Sequence, residues 1–206
     1  MAINWGRVLE DEGYKTNLYT LDNKESGVTM LGGIDVGQGT KDKLYGIIET
    51  LGIPEDKVSE FKGVIDKVAG LKGDKAIEAF GKLTNEERNI ATNFLASHGS
   101  GIQNLYNKQE ESNIAATYNK IAGKDGIKFE DLYEGWQNVI ASSYHQYGAE
   151  GVSKQKLYGQ IAKGEFGKAI SNLQNWGDTT DKYADSINAR YERYGNELVQ
   201  GMVIGE

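Results

Sequence analysis

The sequence contains no cysteine. That excludes a disulfide framework, a thiolate nucleophile and any cysteine-ligated metal. It has only two histidines, His98 and His145, too far apart for the His-x-x-x-His spacing of a zinc hydrolase. No metal and no other cofactor is expected. Positive charge is in deficit, with 23 Lys and Arg against 30 Asp and Glu and a net charge of −7. That balance argues against nucleic acid or an anionic membrane as the partner. No apolar run approaches a spanning length, so no membrane insertion is expected. The opening "MAINWGRVLEDEG" lacks a basic n-region and an apolar h-region, so the expectation is a protein made in the cytoplasm without a signal peptide.

The 206 residues suffice for one sizeable core or two small lobes. "INWGRVLEDEGY" reads as an amphipathic helix capped by Asn4, with Trp5, Val8 and Leu9 as its apolar stripe and Gly13 as its left-handed stop. "NLYTL" and "GVTML" have strand character and flank the turn-like "DNKES". Helical patterns follow throughout. "PEDKVSEFKGVIDKVAG" starts at Pro54 and puts Val58, Phe61, Ile65 and Val68 on one side. Thr84 and Glu87 make a capping-box signature. A helix is predicted over roughly Phe129 to Tyr147, two short ones meet at Gly164, and a last one begins near Thr179. It aligns Tyr183, Ile187, Tyr191, Tyr194 and Leu198 as a helix-core face. The fold class is α+β, predominantly α-helical.

Two places can carry chemistry. Glu12 extends the stripe of Trp5, Val8 and Leu9, so its carboxyl turns toward apolar neighbours, which favours the protonated form a general acid needs. The competing reading is a helix-end glutamate bonded to an arginine or to loop amides. The second place is "SGVTMLGGIDVGQG", five of whose fourteen residues are glycine. Glycine is used where backbone adopts positive φ or approaches something closely. Thr29 projects from one face of a short strand, and Asp35 follows the Gly32–Gly33 bend. A hydroxyl and a carboxylate facing a cleft would suit activation of water. Equally, Asp35 can bond the backbone of its own turn.

Other motifs fail on inspection. "GIDVGQGTK" looks like the phosphate-binding opening of actin-like ATPases, but the βαβ alternation that fold requires is missing. In Gly39-Thr40-Lys41 the lysine stands on the wrong side of the threonine for a Walker loop. A calcium loop around Asp125-Gly126 would put Ile121 and Leu132 at ligand positions.

"EDEGYKTNLY" followed by "SGVTMLGGIDVG" resembles the catalytic lobe of the phage-type lysozymes. The T-even phage enzymes carry their catalytic aspartate two positions after the ribbon tyrosine. Here Leu21 stands two after Tyr19, and Asp22 comes one step late. Asp35, six after Thr29, instead looks like the spacing of pesticin-type lysozyme domains. "ASSYHQYGAEGVSKQKLYGQIAKGEFGKAISNLQNWG" and "DSINARYERYGNELVQG" are similar to the C-terminal lobe of the same superfamily. The resemblance covers roughly the first forty and last seventy residues. The middle, about Gly39 to Gly135, carries no such match and is expected to hold an interlobe helix with family-specific additions.

The resemblance implies one lysozyme-like catalytic domain over 1–206, with an N-terminal lobe of about 1–55 and a helical lobe of about 56–206. It implies a muramidase cutting the β-1,4 bond between N-acetylmuramic acid and N-acetylglucosamine with inversion. Glu12 would be the acid, with Thr29 and Asp35 on the water side. Asp22 is the reserve base and, with His145 and Gln146, a substrate-binding residue. Arg190 would pair with Glu12 and support it, while Arg193 points outward. The implied partners are peptidoglycan glycan strands and a cognate immunity or inhibitor protein. The place of action would be the periplasm or cell wall, reached by holin release as a phage endolysin or by injection as an antibacterial effector. Two rivals remain: a lytic transglycosylase, and a non-catalytic protein of the same fold that grips peptidoglycan.

Overall fold

Asn4 opens the first helix as its sequence predicts. The Arg7 N–H donates to Asn4 Oδ1 at 3.1 Å, so one of the orphan donors at a helix start is satisfied by a side chain. Helix α1 (Trp5–Glu10) buries Val8, and Gly13 follows with φ +71°. The structure is a computed structural model that describes residues 3–10, 13–21, 26–177 and 184–204, the last three as backbone alone. Glu12, Asp22 and Tyr183 lie outside the described residues.

The chain forms two compact units, Met1–Asp11 with Glu110–Glu206, and Glu12–Gln109. The division falls near residue 110, and α1 goes with the C-terminal segment.

The unit 12–109 carries an antiparallel sheet in the order β1 (Lys15–Thr20), β2 (Val28–Leu31), β3 (Ile34–Asp35). Strand β3 corrects the expectation that all structure after "GVTML" is helical. It is two residues long, too short for a periodic signal. Every residue of β2 is buried, because α4 (Gly73–Lys82) packs against β1 and β2 and apolar side chains cover the rest. Helices α2 (Lys41–Thr50) and α3 (Glu55–Ile65) complete the core with Leu44, Ile47, Ile48, Val58, Phe61 and Ile65. Pro54 is the N-cap residue of α3, and Phe61 stacks on Phe94 at 4.1 Å.

Helix α5 (Asn85–Ala122) runs 38 residues. Its start is the predicted capping box: the Thr84 N–H donates to Glu87 Oε2 at 2.8 Å, and the Glu87 N–H donates to Thr84 Oγ1 at 3.2 Å.

In the unit holding both termini, a 3₁₀ turn (Phe129–Asp131) precedes α6 (Glu134–Ser153), α7 (Lys156–Ala162), α8 (Phe166–Gln174) and α9 (Ala184–Ile204). Gly164 joins α7 to α8 at φ +71°, where the sequence predicted two short helices meeting. The core centres on Trp136, Tyr118, Tyr158 and Tyr191. The Tyr158 hydroxyl donates to the Ile140 carbonyl at 2.8 Å, and burial pushes its pKa well up. Ile187, Tyr191, Tyr194 and Leu198 face inward as expected. Helix α1 is fixed in this unit by three contacts. The Asn4 N–H donates to Asn138 Oδ1 at 2.7 Å, Arg7 pairs with Glu197 at 2.6 Å, and the Arg7 guanidinium lies 5.1 Å from the Tyr194 ring centre.

Candidate functional site

The register of the sheet puts Thr29 opposite both Tyr19 and Asp35. Directly opposed residues share a face, so Tyr19, Thr29 and Asp35 form one row across three strands. The sequence-predicted threonine and aspartate are therefore brought together. Thr29 is not on an open face, however. It is only 3% exposed, and its hydroxyl lies 3.5 Å from the Gly27 carbonyl.

Asp35 is held by its own turn. Its carboxylate accepts from the Gly37 N–H at 2.7 Å on Oδ1, and from the Gly27 N–H at 2.9 Å and Gln38 Nε2 at 3.1 Å on Oδ2. The Thr40 hydroxyl donates to the Asp35 carbonyl. A carboxylate has about four acceptor positions, so this arrangement leaves room for one further donor on Oδ1. The arrangement suits a carboxylate of fixed orientation. It also realises the bland alternative, an aspartate bonded to local backbone.

The glycines of this stretch approach protein. A Cβ on Gly27 would come within 2.4 Å of the Gly37 Cα and 2.6 Å of the Leu71 carbonyl oxygen, and one on Gly37 within 2.3 Å of that same oxygen. Both positions must be glycine for the β2 entry and the β3 exit to pass each other. At these two positions the close approach that glycine permits is backbone against backbone.

Sequence reasoning missed the group behind the turn. Gln103 and Asn107 on α5 are buried polar residues, 3% and 4% exposed. The Gly32 N–H donates to Gln103 Oε1 at 2.9 Å, and Gln103 Nε2 donates to Asn107 Oδ1 at 2.8 Å. The available signal was their i,i+4 spacing one turn beyond Gly99, on the helix face that also carries Leu95 and Ile102.

In the other unit, His145 and Gln146 stand at partly buried positions near the end of the regular part of α6, before Gly148 breaks the helix at φ 65°, ψ 175°. Arg190 is 7% exposed and donates from Nη1 to Gln146 Oε1 at 3.4 Å. Two of the predicted residues thus meet, while Arg193 is exposed as expected. Beside them, Trp176 Nε1 donates to the Tyr147 hydroxyl at 3.2 Å, and the Trp176 and Tyr191 rings lie 4.2 Å apart. Burial drives the Tyr191 phenol pKa well up. Glu12 and Asp22 are not among the described residues, so neither the acid nor its pairing with Arg190 has a described geometry.

A concavity of about 620 Å³ bordered by Lys67, Leu71, Lys75 and Lys82 holds none of the expected site residues. Among the described residues no group of three or more acids and histidines could hold a metal, and no helix is long and apolar enough to cross a membrane.

One family model matches the chain over residues 3–167, that of "Pesticin: Bacterial toxin homologue of phage lysozyme, C-term". No curated protein matches.

Proposed function

The chain belongs to the pesticin family, bacterial toxin homologues of phage lysozyme, and on that premise we propose that it is a peptidoglycan muramidase. The single observation carrying this reading is the family match, which spans residues 3–167. A lysozyme-type activity on peptidoglycan follows from the family. The bond and the mechanism are the finer proposal.

In this reading protonated Glu12 donates to the glycosidic oxygen between N-acetylmuramic acid and N-acetylglucosamine as the bond breaks. Asp35, with Thr29 beside it, orients and deprotonates a water on the opposite face of an oxocarbenium-like sugar. Inversion requires carboxyl groups about 6.5–9.5 Å apart, with space for that water. The one acceptor position left on Asp35 suits a single bound water, and the fixed carboxylate supplies the orientation such a step needs. Asp22, His145 and Gln146 contact the glycan, and Arg190 supports Glu12. No cofactor is required. The protein works at the cell wall as an antibacterial effector or phage lysis enzyme, and in the effector role a cognate immunity protein protects the producer.

One observation favours a second reading. Three acceptor positions of Asp35 are taken by Gly27, Gly37 and Gln38, as suits a residue that shapes its loop. A lytic transglycosylase needs an acid but no water-holding aspartate, and releases anhydro sugars.

The test is digestion of purified sacculi. Glu12→Gln abolishes release of soluble fragments while the circular dichroism stays unchanged, because the amide keeps the shape and lacks the proton. Near-normal digestion by that variant removes Glu12 from the acid role.

A further inference from the structure

The β2–β3 turn is held from behind by one side chain. Met30 and Ile34 are the last residues paired between β2 and β3; Leu31, which ends β2 and pairs with Lys15 of β1, leads through Gly32 and Gly33 into β3. Leu31 has φ +51° and is the one non-glycine residue with positive φ among the described residues. A leucine rarely adopts that conformation, and it persists only where surroundings enforce it. Two residues of α5, one turn apart, supply the enforcement. Gly99 leaves a notch: a Cβ there would lie 2.6 Å from Leu31 Cδ2 and 2.9 Å from the Tyr14 hydroxyl. Gln103 then takes the next N–H, that of Gly32, at 2.9 Å.

The orientation of the Gln103 amide is fixed by logic as well as geometry. A backbone N–H can only donate, so Oε1 must face Gly32, and Nε2 is left for Asn107 Oδ1. Both side chains are buried, so no solvent competes for these bonds and an unmade one is heavily penalised. The next pair along from Met30 and Ile34 is Thr29 opposite Asp35. A shift of the turn therefore passes directly into the row that carries the candidate water-side residues.

The geometry points to Gln103 as a positioning residue. With Asn107 accepting from its Nε2, it locks the strained Leu31–Gly32 turn and thereby fixes the separation of Thr29 and Asp35. This inference rests on the reading of those two residues as the water side of a muramidase. Gln103 itself touches no substrate in this account.

The experiment compares Gln103→Met, Gln103→Glu, Thr29→Val and Asp35→Asn in the full chain. The readouts are kcat and KM on purified peptidoglycan, and the hydrogen-exchange rate of the Gly32 amide by NMR. Gln103→Met fills the space and removes the acceptor, whereas Gln103→Glu keeps an acceptor for Gly32. The expected result is a fall in kcat of about a hundredfold for Gln103→Met, with KM little changed, since misplacing a reacting group by about 1 Å has that effect. Gln103→Glu recovers the greater part. The Gly32 amide is protected in the natural protein and exchanges about tenfold faster or more in Gln103→Met. The inference alone is overturned if Thr29→Val and Asp35→Asn abolish turnover while Gln103→Met keeps its kcat, or if Met and Glu substitutions fall equally. If Thr29→Val and Asp35→Asn both turn over normally, the water-side reading fails and the positioning role falls with it. Should Gln103→Met not fold, rapid exchange at Gly32 in the natural protein, or a Gln103→Glu kcat as low as that of Asp35→Asn, overturns the inference.

Discussion

Arg7 and Glu197 are joined at 2.6 Å across 190 residues of chain, so α1 is fixed to α9, the helix that carries Arg190. Arg7 is 19% exposed on its side chain and Glu197 46%, so solvent screens the pair in part. The stacking of Arg7 on Tyr194 adds to it. Arg7→Ala is expected to lower stability by about 1–2 kcal/mol, read from urea denaturation. Arg7→Lys recovers only part, because an ammonium lacks the planar face and fork of the guanidinium. An unchanged urea midpoint for Arg7→Ala would contradict the contact.

Gly27→Ala and Gly37→Ala each drive a methyl into opposing backbone, which cannot move aside as a side chain can. Each is expected to destabilise by about 2–3 kcal/mol, in line with other overpacked sites. Gly63→Ala, where nothing lies near the added atom and which sits inside α3, is expected to be neutral or stabilising. Thermal denaturation of the three variants checks the contrast.

Asp35→Asn is expected to damage sacculus digestion far more than Asp22→Asn. It also affects the fold, because an amide can accept on one atom only and leaves the Gly27 or Gly37 N–H without its partner. That loss is worth about 1–3 kcal/mol, so the assay belongs well below the variant's melting temperature. If Asp22→Asn is the inactive variant and Asp35→Asn works nearly normally, the T-even arrangement applies to this chain and the pesticin-like one does not.

Two carboxylates give a defined acid dependence. Lys41, then the Tyr45 hydroxyl, lower the pKa of Asp66, and Lys67, then the Thr84 N–H, lower that of Glu87. A carboxyl whose folded pKa is depressed stabilises fully above its unfolded value of about 4, and that contribution is lost as pH falls through the folded pKa. Stability is therefore flat above about pH 5 in these two terms and declines below it. Asp66→Asn and Glu87→Gln should each lessen the decline, measured as urea midpoint against pH. A decline as steep in both variants as in the natural protein would show that other groups govern it.

Arg190→Met tests the support proposed for Glu12. Losing a buried guanidinium that donates to Gln146 should lower stability by about 1–3 kcal/mol. An acid catalyst fails when it loses its proton, so Glu12 sets the alkaline limb of the pH–activity profile. Removing a neighbouring positive charge raises the carboxyl pKa, and that limb moves to higher pH. An unmoved limb means Arg190 does not act on Glu12.

Local chemistry made much of the fold legible. Asn4, Gly13, the Thr84–Glu87 box, Pro54 and Gly164 do in the structure what their residue types dictate within a few positions of sequence. What escaped depends on distant partners. Gly99 and Gly101 weaken a helical pattern, yet α5 runs through them, because they make room for Leu31 and Leu51. Strand β2 alternates as a half-exposed strand would, but α4 and the core cover it, so Thr29 is buried where a cleft-facing residue was expected. Pairing of Thr29 with Asp35 was half legible: spacing and glycines put them near each other, while the register came from hydrogen bonds that no periodicity encodes. Gln103 was unreadable without the turn it meets, since a buried glutamine is defined by its partner.

The central claim is hydrolysis of the glycan by water. Mass spectrometry of the soluble products from purified sacculi tests it most directly. The account predicts muropeptides ending in reducing N-acetylmuramic acid, and none from Glu12→Gln. Products ending in 1,6-anhydro-N-acetylmuramic acid, lighter by one water, would contradict it and assign Asp35 to the loop alone.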